Sequence, residues 1–240
     1  MKERITLLLY LWTVGIFGGV LFWILRVTRR VQVKGYKHSK FDSKGRGLVL
    51  ISNHPSPAEP MFLPFLFFPR YLVSLRFTPY SLPDKKHYDR REFIPMRKVC
   101  IPVDRRNGRE EIKTFKEMEG ILNNGKILIL HPEKEHTPEE GPEDYLFSKS
   151  DKSINKFRPG IRKLFSRTNC LVLPVWIDGG PGVIPNNRKY SLLSSIFQFP
   201  RLWRKVTIKI GEPLEPANFS NNEVVEHLEN ILLELADREM

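Results

Sequence analysis

The sequence predicts an α/β fold: a layered, largely parallel sheet flanked by helices, preceded by a membrane-anchoring helix or helical hairpin. Three observations carry that expectation. Short, uninterrupted apolar runs recur along the 240 residues, stretches of helical length separate them, and residues 5–25 hold no charged side chain. Uninterrupted runs, rather than strict alternation, mark strands covered on both faces.

The first element is the apolar segment ITLLLYLWTVGIFGGVLFWIL at 5–25. A helix of that length reaches roughly 30 Å, enough for the hydrocarbon core of a bilayer. No small-residue cleavage site follows it and RVTRR comes directly after, so an uncleaved anchor is expected rather than a signal peptide. Gly15, Gly18 and Gly19 interrupt the run, which leaves two forms open: a single span, or two short helices dipping into one leaflet. Arg26, Arg29, Arg30, Lys34 and Lys37 outnumber Lys2 and Arg4 on the other side. That excess assigns the globular part to the cytoplasmic side of the cell membrane. The expected division is an anchor over 1–30 and one domain over 31–240, long enough for a full hydrophobic core.

A formal net charge of +12 and a pI near 9.7 call for an anionic partner. Basic residues beside a membrane segment attract anionic phospholipids. Nucleic acid is not expected: there is no zinc-finger spacing, no aromatic-and-glycine RNA-binding signature and no helix-turn-helix signal. Cys100 and Cys170 each lie in an apolar run outside any CxxC, as small core residues of a reducing compartment do.

Strands are expected at 47–52, 71–75, 99–103, 126–130, 170–177 and 205–211. Helices are expected at about 57–68, 109–123, 159–168 and 221–236. The helix over 109–123 places Ile112, Phe115, Met118 and Leu122 at helical spacing, and Asn124-Gly125 stops it. Strand, helix and strand at these lengths make a parallel layered sheet. Two stretches break the alternation. Residues 132–156 read as a long exposed loop, and 180–204 mixes apolar and basic residues, either as a membrane-interface surface or as a packed insertion.

Chemistry-bearing residues gather where strands end, the place where α/β sheets bind ligands. SNHPSPAEP puts His54 after one strand and Glu59 in the first turn of the next helix. Glu59 either orients the imidazole or simply serves the helix dipole. VCIPVDRR brings Asp104, Arg105 and Arg106 to a second strand end, and a guanidinium there suits bidentate phosphate recognition. LHPEKEHT brings His131 and Glu133 to a third. The spacing of His131, Glu133, Glu135 and His136 matches no standard metal-ligand pattern, so no metal is expected.

Taken in order, these stretches resemble the glycerolipid acyltransferases of the 1-acylglycerol-3-phosphate O-acyltransferase family. SNHPSPAEP resembles that family's N-H-x4-D block, IPVDRR its V-D-R block and LHPEKEHT its F-P-E-G-T-R block. FRPGIRKLF, LVLPVWIDG and VTIKIGEPLEP resemble the F-K-x-G helix start, the I-V-P-V block and the closing I-G-x-P strand. Together they cover most of 48–216, and the apolar N-terminus is similar to the family's anchoring helices.

The resemblance implies a membrane-bound enzyme that moves a fatty acyl group from an acyl thioester to the hydroxyl of a phosphorylated lipid, with 1-acylglycerol-3-phosphate becoming phosphatidic acid. It implies His54 as general base, Glu59 as its orienting acid, Arg105 on the acceptor phosphate and Glu133 near the glycerol hydroxyls. Asn53, Arg106 and Lys134 join them as expected substrate-binding residues. Acyl-CoA or an acyl-carrier protein would be the donor and a lysophospholipid the acceptor, with no bound cofactor. Two positions depart from the pattern. Glu59 stands where Asp is usual, as in the related lipid A secondary acyltransferases, and Lys134 stands where Gly is usual. The competing expectations are a non-catalytic relative that binds lipid or an acyl carrier, and an acyltransferase of a different lipid acceptor.

Overall fold

The computed structural model describes residues 7, 10–40, 43–54, 56, 59–89, 91–104, 108–133, 144–184, 201–219 and 223–239. Its centre is a six-stranded sheet built from β1 (Val31–Lys34), β2 (Leu48–Ser52), β3 (Pro79–Ser81), β4 (Ile127–Leu130), β7 (Leu171–Asp178) and β8 (Val206–Ile210). The spatial order is β1-β8-β7-β2-β4-β3. β7, β2, β4 and β3 run parallel, β8 returns antiparallel to β7, and β1 pairs parallel with β8 at the edge.

Consecutive residues of the central strands feed opposite cores. Leu48 and Leu50 of β2, Ile127 and Ile129 of β4, and Leu171, Leu173, Val175 and Ile177 of β7 face one apolar layer. Val49, Ile51, Leu128, Leu130, Val172 and Trp176 face the other. This is why the runs are apolar without alternation: both faces are covered. On the first face lie helix α1 (Ile16–Val27) and the segment around helix α2 (Glu59–Phe62), which contribute Phe22, Leu25, Phe62, Leu63, Leu66, Phe67 and Tyr71. On the second lie α3 (Gly108–Asn123), α4 (Gly160–Arg167) and α6 (Glu223–Asp237); a further one-turn helix, α5 (Gly180–Val183), follows β7 and adds Val183 to the first layer.

Three expectations change. Residues 71–75 form no strand; Arg70–Val73 is a helical turn and Leu75–Phe77 a 3₁₀ turn. The Tyr71 hydroxyl donates to the Gly15 carbonyl at 2.7 Å, which pins this segment beneath the N-terminal helix instead of beside β4. The strand beside β4 is Pro79–Ser81. The 99–103 segment is an extended edge that makes only isolated bridges, Ser81 to Cys100 and Asp84 to Val103. Pro102 has no N–H to offer a ladder, so pairing alternates through Ile101 and Val103. The supposed loop over 132–156 contains a hairpin, β5 (Tyr145–Phe147) paired with β6 (Ser153–Asn155). Residues 134–143, like 185–200 of the mixed stretch, lie outside the described residues. Cys100 and Cys170 are buried and unpaired with each other, as expected of core residues.

Leu11–Gly15 is π-helical and α1 adds twelve residues. No helix among the described residues is long and apolar enough to cross a membrane. The glycines have a packing role: a Cβ at Gly18 would overlap the Phe65 ring, and one at Gly19 the Phe68 ring. The missing Cβ atoms at these glycines let α1 lie flat against the domain. Gly19, Phe22 and Leu25 face inward. Phe17, at 75 % exposure, and Val20, Trp23, Ile24 and Val27 face out.

A polar lock joins the hairpin to the C-terminal helix. Asp237 accepts from Ser148 Oγ at 2.7 Å, from Lys149 N at 2.8 Å and from Ser150 through both its hydroxyl and its amide. Lys152 Nζ bridges the Asp178 carboxylate at 2.9 Å and the Ala236 carbonyl at 3.0 Å, and Lys209 Nζ also donates to Ala236. The Ser150 and Ser148 hydroxyls hold the Asp237 carboxyl down to about 2, below its ordinary value near 3.8. A depressed carboxyl stabilises the fold fully above its ordinary pKa and loses that contribution as pH falls toward the folded value. Asp237→Asn should therefore lower Tm by about 2–4 °C at neutral pH, with the gap to wild type closing between about pH 4 and pH 2 in a calorimetric series.

Candidate active site

β2 delivers its last residues into a fixed frame. Asn53 is buried, its Nδ2 donates to the Ile177 carbonyl at 3.0 Å, and its Oδ1 accepts from the Ile177 amide at 2.8 Å. The side chain thus completes a backbone-like pairing to β7. In the structure the side-chain amide of Asn53, an expected substrate-binding residue, pairs with the Ile177 backbone and so anchors the chain just before the next residue.

That residue is His54, whose ring is 42 % exposed, while the Glu59 side chain opposite is fully buried. His54 Nδ1 lies 3.2 Å from Glu59 Oε2. Ser56 supplies the remaining support, its amide donating to Oε2 at 2.9 Å and its hydroxyl to Oε1 at 2.9 Å. Ser56 and Glu59 have the S-x-x-E spacing of a capping box, in which the Glu reaches back to the Ser amide. That signal was present in the sequence and identifies Ser56 as a site residue. Both features that the sequence raised are present: Glu59 starts α2, and its carboxylate also meets the imidazole. A carboxylate on Nδ1 fixes the proton there in the neutral ring and leaves Nε2 to act as base.

A close backbone approach completes the pocket around Glu59. Gly179 turns the chain out of β7 at φ 87°, and a Cβ at Gly180 would collide with Glu59 Oε1 and Ser56 Oγ. Only glycine fits where α5 closes over the buried carboxylate.

β4 lies beside β2, with Leu130 opposite Ile51, so its C-terminal residues arrive next to His54. Glu133 Oε1 accepts from the His54 amide at 2.8 Å, and Oε2 accepts from the Asn155 amide of β6 at 3.0 Å. Two backbone amides are thus among its partners, and through them Glu133 clamps the His54 loop to the hairpin. His131 stacks on the His54 ring at 4.3 Å between centroids and 23° between planes. Shielding from water, with His54 adding to it, pushes the His131 pKa well below the ordinary histidine value, against the Ser52 and Asn53 carbonyls, which raise it. No periodicity in the sequence revealed this contact, because it depends on the neighbour relation of β2 and β4.

The 99–103 edge leads to Asp104, whose carboxylate accepts from Lys85 Nζ at 3.2 Å. That bond, and the charge of Asp104, raise the Lys85 pKa. All these segments point the same way along the parallel part of the sheet, so Asp104 leaves it on the edge where His54 and Glu133 emerge. Arg105, Arg106 and Lys134 lie outside the described residues, as do Glu135 and His136. Among the described residues no three His, Cys, Asp or Glu side chains gather into a metal-binding group.

This arrangement supports proton transfer: a partly exposed imidazole, backed by a buried carboxylate, at the C-terminal edge of a parallel sheet. The 1-acyl-sn-glycerophosphate (LPA) acyltransferase PlsC from Thermotoga maritima has a similar fold, with a TM-score of 0.61 over 96 % of this chain and 81 % of that one at 20 % identity. No protein of curated function matches the sequence. The family model described as Acyltransferase matches residues 30–178, a span that contains His54, Glu59 and Glu133. Since that match takes in more than half of its length, the chain belongs to the acyltransferase family.

Proposed function

We propose that this acyltransferase moves a fatty acyl group from an acyl thioester, acyl-CoA or an acyl-carrier protein, to the hydroxyl of a lysophospholipid, with 1-acylglycerol-3-phosphate as the favoured acceptor. The observation that carries the reading is the His54–Glu59 pair, an accessible imidazole whose Nδ1 faces a fully buried carboxylate.

An alcohol is a weak nucleophile at neutral pH, and a positioned base contributes about 10²- to 10⁴-fold. His54 Nε2 takes the acceptor hydroxyl proton as the oxygen attacks the thioester carbonyl. The tetrahedral adduct collapses, the C–S bond breaks, and the thiolate leaves with the proton returned by His54. Ester and free thiol are the products, and no covalent acyl-enzyme is required. Glu59 stabilises the imidazolium that forms in between. Arg105 is assigned to the acceptor phosphate, on the suitability of a guanidinium for that geometry. Glu133 sits beside the base loop, and contact with the glycerol hydroxyls remains part of the assignment.

Binding to the cytoplasmic face of a membrane completes the reading. Its support is the outward row Phe17, Val20, Trp23, Ile24 and Val27 on α1, next to Arg26 and Arg29, with Trp203 also exposed. Arg30 donates to the Trp203 carbonyl at 2.7 Å, tying the two segments together. An apolar helix face rimmed by arginine suits an interfacial position on anionic lipid.

Purified protein supplied with an acyl thioester and 1-acylglycerol-3-phosphate should release thiol. His54→Ala and Glu59→Gln should each lower that rate by about 10²-fold or more with the circular dichroism spectrum unchanged. Wild-type protein that binds these lipids but releases no thiol would be a binding relative instead. Arg105→Ala should raise the acceptor KM by about 10-fold or more, as loss of a charge-assisted contact does, and leave the donor KM within about twofold; equal changes in both would remove the phosphate assignment. In flotation with vesicles containing anionic phospholipid, Phe17→Ser with Trp23→Ser should shift most of the protein to the unbound fraction, and unchanged flotation would contradict the α1 assignment.

A further inference from the structure

We propose that His131 is a positioning residue for the base: a neutral imidazole that holds the His54 ring by stacking and accommodates the charge His54 acquires when it takes a proton. The inference rests on the acyl-transfer reading for its kinetic part and on geometry for the rest.

His131 is fixed from below. It follows β4, and its Nδ1 lies 3.4 Å from the Ser52 carbonyl, at the end of the strand that carries His54. Backbone, ring and base are therefore referenced to the same two strand ends. Glu59 controls the His54 ring only along its Nδ1 edge, and a hydrogen bond to one edge leaves the ring free to tilt about that contact. The stacked His131 ring, 4.3 Å away and 23° from parallel, limits that tilt. The F-P-E block that this stretch resembles has Phe where His131 stands, so an aromatic face at this position is common to both.

The charge argument points the same way. During the reaction His54 becomes an imidazolium. A neutral aromatic face within about 6 Å of a cation attracts it, whereas a second charge at this separation would repel it. His131 is kept neutral by its shielded position, which holds its pKa well below the ordinary value. The titratable groups that face the stack from the described elements are Glu59 of α2 and Glu133 at the end of β4, both carboxyls. Both lie beside His54, and a neutral His131 does not compete with it for them.

The test uses the full-length protein with three substitutions. His131→Phe keeps an aromatic face, His131→Ala removes it, and His131→Gln keeps a donor for Ser52 without a ring. The His54 titration is followed by NMR and the kinetics by thiol release. His131→Phe should leave the His54 midpoint and kcat close to wild type, kcat within about threefold. His131→Ala and His131→Gln should each lower the midpoint by about half a unit, the loss of an exposed cation–π contact, and lower kcat by about 10-fold with both KM values within twofold. An unchanged midpoint and kcat in Ala and Gln overturns the proposal, as does a Phe variant as impaired as the Ala variant. The NMR midpoint needs no substrate. A midpoint that shifts as expected in a wild-type background without thiol release therefore supports the stacking role and counts against the acyl-transfer reading alone.

Discussion

The buried carboxylate of Glu59 is the constraint on which the site depends. A carboxylate withdrawn from water is tolerated only with partners that replace its hydration. Here the partners are the Ser56 amide, the Ser56 hydroxyl and the His54 ring. Hydrogen bonds to a charged group contribute about 1.5–3 kcal/mol each, so three of them offset a desolvation cost of several kcal/mol. The consequence is mutual: His54 is oriented because Glu59 requires it, and Gly180 must lack a side chain because α5 closes directly over the carboxylate oxygen.

Around that pair the sheet acts as a jig. Asn53 ties the end of β2 to β7, Glu133 ties the His54 amide to the β5–β6 hairpin, and His131 covers the ring from β4. The hairpin is in turn held by Asp237 and Lys152 against the C-terminal helix and β7. Residues far apart in the chain therefore converge on one imidazole through backbone-directed contacts. The face that binds the N-terminal helix is the opposite one, where Phe22 and Leu25 join the core beneath Phe65 and Phe68. The proposed membrane surface and the proposed base thus belong to one rigid layer structure and not to separable parts.

Much of this is legible in the amino-acid sequence. β2, β4, β7 and β8 were readable because strands covered on both faces are apolar at every position. Helices α3, α4 and α6 were readable because their apolar residues recur at helical spacing. The run at 71–75 misled because a short apolar stretch has the same composition whether it pairs with a strand or packs under a helix; Tyr71 bonding to Gly15 decided the outcome. The His54–Glu59 pair could be anticipated since five residues separate a strand end from a helix start. The pairing of Asn53 with Ile177 could not be read, because 124 residues separate them across the sheet. His131 was hidden for the same reason: only the β2–β4 register places it over His54.

The most direct measurement of the central claim is the tautomer of His54, read from the imidazole ¹⁵N shifts of the full-length protein at a pH where the ring is neutral. A carboxylate on Nδ1 predicts that Nδ1 carries the hydrogen and Nε2 is unprotonated, ready to accept a proton. A ring protonated at Nε2 would contradict the account, since the base would then face away from any hydroxyl it is meant to activate.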